Sequence, residues 1–129
     1  EVKERVATRT PQQVLDYCKA SLAGRKEECL EVIYLSVRNT VMSTQVAASG
    51  RIDRVAVSPR KIVECALAAK ASAIILVHNH PSGDATPSQE DINLTQSVIR
   101  AAELFGISVH DHIIIGKGAH YSLKANGKI

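Results

Sequence analysis

The stretch Ser72-Ala73-Ile74-Ile75-Leu76-Val77-His78-Asn79-His80-Pro81-Ser82-Gly83-Asp84-Ala85-Thr86-Pro87-Ser88-Gln89-Glu90-Asp91 decides the fold. Ser72 to His78 is apolar on both faces. A strand of that kind is covered on both sides, which places it in the interior of a sheet. The next residues, HNHPSGDATP, are rich in Pro, Gly and Asp, as a loop should be. Ser88 then starts a long helix. Its apolar positions Ile92, Thr95, Val98, Ile99, Ala102 and Phe105 keep a 3–4 spacing, and Gly106 is its C-cap.

The neighbouring segments extend this core in both directions. Upstream, Ser58-Pro59 opens a helix, with Ser as N-cap and Pro at the first helical position. Ile62, Val63, Ala66, Leu67 and Ala69 give that helix an apolar stripe. Glu28 to Val37 reads as a strand, Arg38-Asn39-Thr40 as a turn and Val41 to Ala48 as a second strand, so the pair predicts an antiparallel hairpin. Arg54 to Val57 reads as a short strand. Thr10-Pro11 begins a first helix, with Val14, Leu15, Cys18 and Leu22 at helical spacing and Gly24 at its end. Downstream, Ile107 to Ile115 is a strand, Gly116-Lys117-Gly118 a tight turn and His120 to Leu123 a final short strand. The order α-ββ-β-α-β-α-β-β predicts an α/β (α+β-like) fold, a mixed sheet with helices on its faces.

The chain has 129 residues, a length that suits one domain. Residues 1–24 read as an N-terminal helical extension and 25–129 as the domain itself. The sequence starts at Glu1 rather than Met, which points to a piece of a longer protein. No apolar run approaches the roughly 20 residues that cross a bilayer, and no signal peptide is present, so no membrane partner is expected. Aromatics are 3% of residues, too few for a platform that stacks single-stranded nucleic acid. The net charge of +3 is dispersed and by itself makes no case for nucleic-acid binding. Cys18, Cys29 and Cys65 are odd in number and far apart, which argues against a disulfide framework or a cysteine metal site and suits a reducing cytoplasm. All five histidines, His78, His80, His110, His112 and His120, lie in the C-terminal half.

His78 and His80 stand two apart at a strand end, so both imidazoles can point to one face and share a metal ion. Asp91 falls in the first turn of the following helix. If the loop folds that helix start over the strand end, Asp91 supplies a third ligand. Two His and one carboxylate leave a position open for water, the mark of a catalytic zinc site. Each piece also has a plain reading. S-x-x-D before an apolar run is a helix capping signature, and a lone H-x-H is more often a pair of surface loop residues than a metal site. The combination of H-x-H-P after a buried strand with S-x-x-D opening the next helix is far more specific.

His78 to Asp91 fits H-x-H-P-x(6)-S-x-x-D, which resembles the JAMM (JAB/MPN) metallohydrolase motif. Ser58-Pro59-Arg60, the run ILVHNHPSGDATPSQEDI and Asp111-His112-Ile113-Ile114-Ile115-Gly116 look like the bacterial RadC branch of that family. The resemblance extends from about Thr10 to about Ser122. It implies a JAB/MPN, cytidine-deaminase-like architecture. It implies zinc as cofactor, with His78, His80 and Asp91 as ligands and Ser88 as a hydrogen-bond donor to the bound water or a developing oxyanion. It also implies a glutamate at the start of the first strand as general acid/base. Glu28 is the best match, because it precedes the strand that ends in Tyr34-Leu35; Glu27 and Glu31 are nearby, and in a regular strand alternation puts both on the opposite face. Ser36 departs from the acidic residue or Asn that branch members often carry after that strand.

The implied activity is hydrolysis of a peptide or isopeptide bond. RadC proteins are traditionally linked to DNA repair, which makes a DNA-directed phosphoesterase the rival enzyme and a non-catalytic interaction module the third reading. Retention of His78, His80, Ser88 and Asp91 argues against the module. Any DNA partner is expected through the upstream helix-hairpin-helix segment that RadC-like proteins usually carry. His110 and His112 repeat the H-x-H spacing without a following Pro, so a structural role near the site is expected. Asp84 reads as a turn residue, His120 as a surface residue and the cysteines as small core residues.

Overall fold

The computed structural model describes residues 11–50 and 57–129. Helix α1 spans Pro11–Leu22, α2 Pro59–Ala68 and α3 Gln89–Glu103. Strands β1 to β5 span Glu28–Leu35, Val41–Gly50, Ala73–Asn79, Ser108–Ile115 and His120–Ser122. They form one sheet in the order β2-β1-β3-β4-β5. β3 and β4 are parallel, and every other neighbouring pair is antiparallel. The sheet is therefore mixed and the expected hairpin is β1–β2. β3, the strand with no polar face, is its middle strand. The expected strand at Arg54 to Val57 falls, save for Val57, outside the described residues, as does the expected N-cap Thr10.

Alternation along the strands divides the core in two. Leu30, Val32, Tyr34, Ile74 and Leu76 pack under α2 and α3, against Ile62, Val63, Leu94, Val98 and Ala102. Cys29, Ile33, Leu35, Ala73 and Val77 face the other way, against Val14, Cys18 and Leu22 of α1. The two helices on one face and the one on the other bury β3 from both sides. Phe105, expected to end the apolar stripe of α3, is 57% exposed. The helix stops at Glu103, and Gly106 turns the chain away with φ 70°, so the stripe loses its register before it reaches Phe105.

The N-caps of α2 and α3 hold as the spacing predicts, whereas α3 is C-capped by Leu104, two residues before the expected Gly106. Ser58 accepts the N–H of Lys61 at the start of α2, with Pro59 as the first helical residue. At α3, Ser88 Oγ accepts from Asp91 N and the Asp91 carboxylate accepts from Ser88 N, a reciprocal capping box. Among the described residues, no helix is long and apolar enough to cross a membrane.

Candidate metal centre

Parallel β3 and β4 and the N-terminus of α3 meet at one end of the sheet. His78 faces the α3 side, in line with Ile74 and Leu76. The antiparallel register pairs Leu30 with His78, and its continuation brings Glu28, at the start of β1, level with His80. Ligand atoms of Glu28, His78 and His80 lie within 4.8 Å of one another, close enough to hold a metal ion. His78 Nε2 is 3.3 Å from Glu28 Oε2 and 3.5 Å from Asp91 Oδ1. His80 Nε2 is 3.3 Å from Asp91 Oδ2. Glu28, expected only as a proton carrier, thus stands at ligand distance as well. Ser88 lies one helical turn from the cluster and is tied to Asp91 through the cap.

The cap and the cluster are a single piece of geometry. Asp91 is 0% exposed. Ser88 N–H, 2.8 Å from Asp91 Oδ2, sets the carboxylate rotamer, and that rotamer aims both oxygens at the imidazoles. A capping role and a ligand role are compatible here, because a carboxylate has about four acceptor positions. His80 is oriented from behind. Its Nδ1 lies 2.9 Å from the Asp84 carbonyl oxygen, which can only accept, so Nδ1 carries the proton. In the neutral ring Nε2 is then a bare lone pair directed at Asp91 and the cluster, the arrangement that metal-binding imidazoles need. Asp91 beside it raises the His80 pKa above its ordinary value, against the opposing effect of burial and with support from the Asp84 carbonyl. Two imidazoles and two carboxylates around one point, one imidazole with its tautomer fixed by a backbone carbonyl, fit a divalent metal ion.

The loop between β3 and α3 is held in place by the β4–β5 turn. His80 N–H donates to Ile115 O and Lys117 N–H to Gly83 O. A Cβ at Gly116 would stand 2.4 Å from Gly83 O, so only glycine lets the two segments approach this closely. The sequence reads Gly116-Lys117-Gly118 as a simple turn, and the contact that requires Gly116 lies across space. Asp84 accepts from Thr86 N and Thr86 Oγ1, which lowers its pKa and makes it a turn residue, as expected.

Clefts flank the cluster. One of about 330 Å³ is lined by Arg25, Lys26, Glu27, Glu28, Cys29 and Ser49. Another of about 320 Å³ runs past His80 and Pro81 and is bordered by Arg25, Lys26 and Lys117. Elsewhere the structure agrees with structural readings. Glu31 accepts from Ser21 Oγ of α1, on the face away from the cluster. Ser36 bonds Thr40 Oγ1 in the β1–β2 turn, at the far end of β1 from Glu28. Cys18, Cys29 and Cys65 are free thiols, and burial, with Glu31 nearby, pushes Cys18 up to about 12. A thiol so poorly ionised is inert at neutral pH.

His112 is the residue whose part the sequence underestimates. It is 0% exposed, its Nε2 lies 2.9 Å from His78 Nδ1, and its Nδ1 lies 2.6 Å from Thr95 Oγ1. His110 plays no such part. A bulge pairs Ile74 with Val109 and Ile75 with Asp111, and leaves His110 without a partner on β3.

A family model of the RadC-like JAB domain matches residues 8–128. A UPF0758 protein of Rhodobacter capsulatus is 45% identical over 126 residues, which cover 98% of this chain and 59% of that protein. A UPF0758 protein of Ruegeria pomeroyi is 44% identical over 126 residues, 98% of this chain and 56% of that protein. The chain thus spans a little over half the length of these relatives. The mixed five-stranded sheet with helices on both faces and the clustered Glu28, His78 and His80 agree with a metal-dependent hydrolase fold of the JAMM type. With the match covering nearly every residue, the chain belongs to the RadC-like JAB domain family.

Proposed function

We propose that the chain is a zinc-dependent hydrolase that cleaves a peptide or isopeptide bond. The convergence of Glu28, His78, His80 and Asp91 from three separate elements carries this reading. His78, His80 and Asp91 would hold the ion. When bound, zinc acidifies water and polarises a carbonyl oxygen. Glu28 lies on the solvent side of the cluster, beside the cleft it helps to line. From there its carboxylate accepts a proton from water and returns it to the leaving amine. Ser88 Oγ already accepts from Asp91 N, so its own proton is left to donate to a developing oxyanion.

A phosphoester substrate is the second reading. Arg25, Lys26 and Lys117 beside His80 favour it, since these cations suit a phosphate backbone. The free cysteines support a cytoplasmic setting. The deciding experiment measures bound zinc and tests peptide, isopeptide and DNA substrates, comparing the zinc-loaded protein with Glu28→Gln. Zinc at one ion per chain is expected, with activity falling about 10²–10⁴-fold in the variant. Equal activity in both proteins, or no zinc in the wild type, would sink the reading. DNA cleavage with binding that weakens steeply in salt would select the second one.

A further inference from the structure

His112 and Thr95 lie behind the cluster, both 0% exposed and both outside the expected ligand set. Their hydrogen bonds can be oriented from one end. The Asp91 carbonyl oxygen has no proton to give. Thr95 Oγ1, 2.7 Å away, must therefore donate its single proton there. Thr95 Oγ1 can then only accept from His112 Nδ1, at 2.6 Å. With its proton on Nδ1, neutral His112 has a bare Nε2. The bond of 2.9 Å between that nitrogen and His78 Nδ1 then requires the proton to sit on His78 Nδ1. His78 Nε2, the nitrogen beside Glu28 and Asp91, is left as the lone pair of the neutral ring.

We propose that His112 and Thr95 are positioning residues that set the tautomer of His78, through a one-way hydrogen-bond chain anchored on the Asp91 backbone. The chain starts and ends on two residues of the same cluster. The first turn of α3 thus places the Asp91 carboxylate and also prepares the imidazole that faces it. His80 reaches the same state by a shorter route, through the Asp84 carbonyl. Two imidazoles with matching bare Nε2 atoms are the outcome, one prepared by a loop and the other by a buried relay.

The inference rests on His78 being a metal ligand, and its test separates the two. Long-range ¹⁵N–¹H spectra of the imidazoles in metal-free wild-type protein read the tautomers directly. A protonated Nδ1 on His78 with a bare Nε2 on His112 is expected, and the reverse pattern overturns the relay whether or not zinc binds. The second arm measures zinc affinity by chelator competition in wild type, Thr95→Val and Thr95→Ser. Val keeps the shape and removes the acceptor for His112 Nδ1. Zinc affinity then drops about 10–100-fold, as for other residues that orient metal-bound imidazoles. Ser keeps the hydroxyl and retains wild-type affinity. Equal affinity in Val and Ser, with His78 in the same tautomer, refutes the relay. A wild type that binds no zinc while showing the expected tautomers would defeat the metal reading alone.

Discussion

Residues 78–80 and 110–112 are two copies of one short pattern, His-Asn-His and His-Asp-His, on adjacent parallel strands. They end in different chemistry. The first sits at the carboxyl end of β3, so His80 passes beyond the sheet edge and can turn toward α3. The second lies further back, with His112 level with Leu76 and roofed by α3. A bulge then removes His110 from the pairing. The middle residues, by contrast, do matching work. Asn79 accepts from Cys29 N and donates to the Glu27 carbonyl, which ties the start of β1 to the end of β3. Asp111 accepts from Ser122 Oγ and Lys124 N, which ties the end of β5 to β4. Spacing brings the side chains to a face. Position along the strand decides whether that face is a core or an open cluster.

The largest expected difference between the two copies is in metal retention. His78→Ala and His80→Ala each remove an imidazole from the cluster, and each should leave the purified protein with little or no zinc after gel filtration. His110→Ala should retain the wild-type content. Elemental analysis of the three variants against wild type checks this, and zinc loss in His110→Ala would break the assignment of the two copies.

A smaller effect is expected at the middle residue. Asn79 is buried, and its amide satisfies the Cys29 N–H beside Glu28. Asn79→Ala strands that donor in the core at a cost of about 1–3 kcal/mol, to be read from urea unfolding of the metal-free protein. Asn79→Asp keeps the acceptor toward Cys29 N but brings a charge and loses the donor to Glu27 O. A loss under about 0.5 kcal/mol in Asn79→Ala would mean that water replaces the amide.

Much of this was legible in the sequence, and the part that was not has a physical reason. The unbroken apolar run 73–77 forced β3 into the middle of the sheet, and Ser88 with Asp91 announced the cap of α3. His78, His80 and Asp91 could be paired because short-range spacing decides which face a residue occupies. Thr95 passed as one more position in the stripe of α3. Its hydroxyl matters only because the parallel pairing of β3 and β4 sets His112 between α3 and His78. Gly116 was hidden for the same reason, its contact being with a loop more than thirty residues earlier. Periodicity sees faces, and contacts between elements far apart in the chain lie outside it.

The smallest effect is expected at His110, and its sign tests whether the second copy is only structural. Burial lowers the His110 pKa below the ordinary 6.5, with the Lys124 charge adding to it. As pH falls through the mid-6 range, the unfolded chain takes up this proton before the folded chain does. Stability rises with pH wherever the unfolded state binds more protons, so His110 costs the folded state stability below pH about 6.5 and nothing above it. His110→Ala should therefore match wild type within about 0.5 kcal/mol at pH 8, where the ring is neutral in both states. Between pH 7 and 5 the variant should lose less stability than wild type, in paired urea titrations of the metal-free proteins. A steeper loss in the variant would mean that His110 gains a partner for its charged form on folding, and the two H-x-H copies would then be less unlike than their geometry makes them.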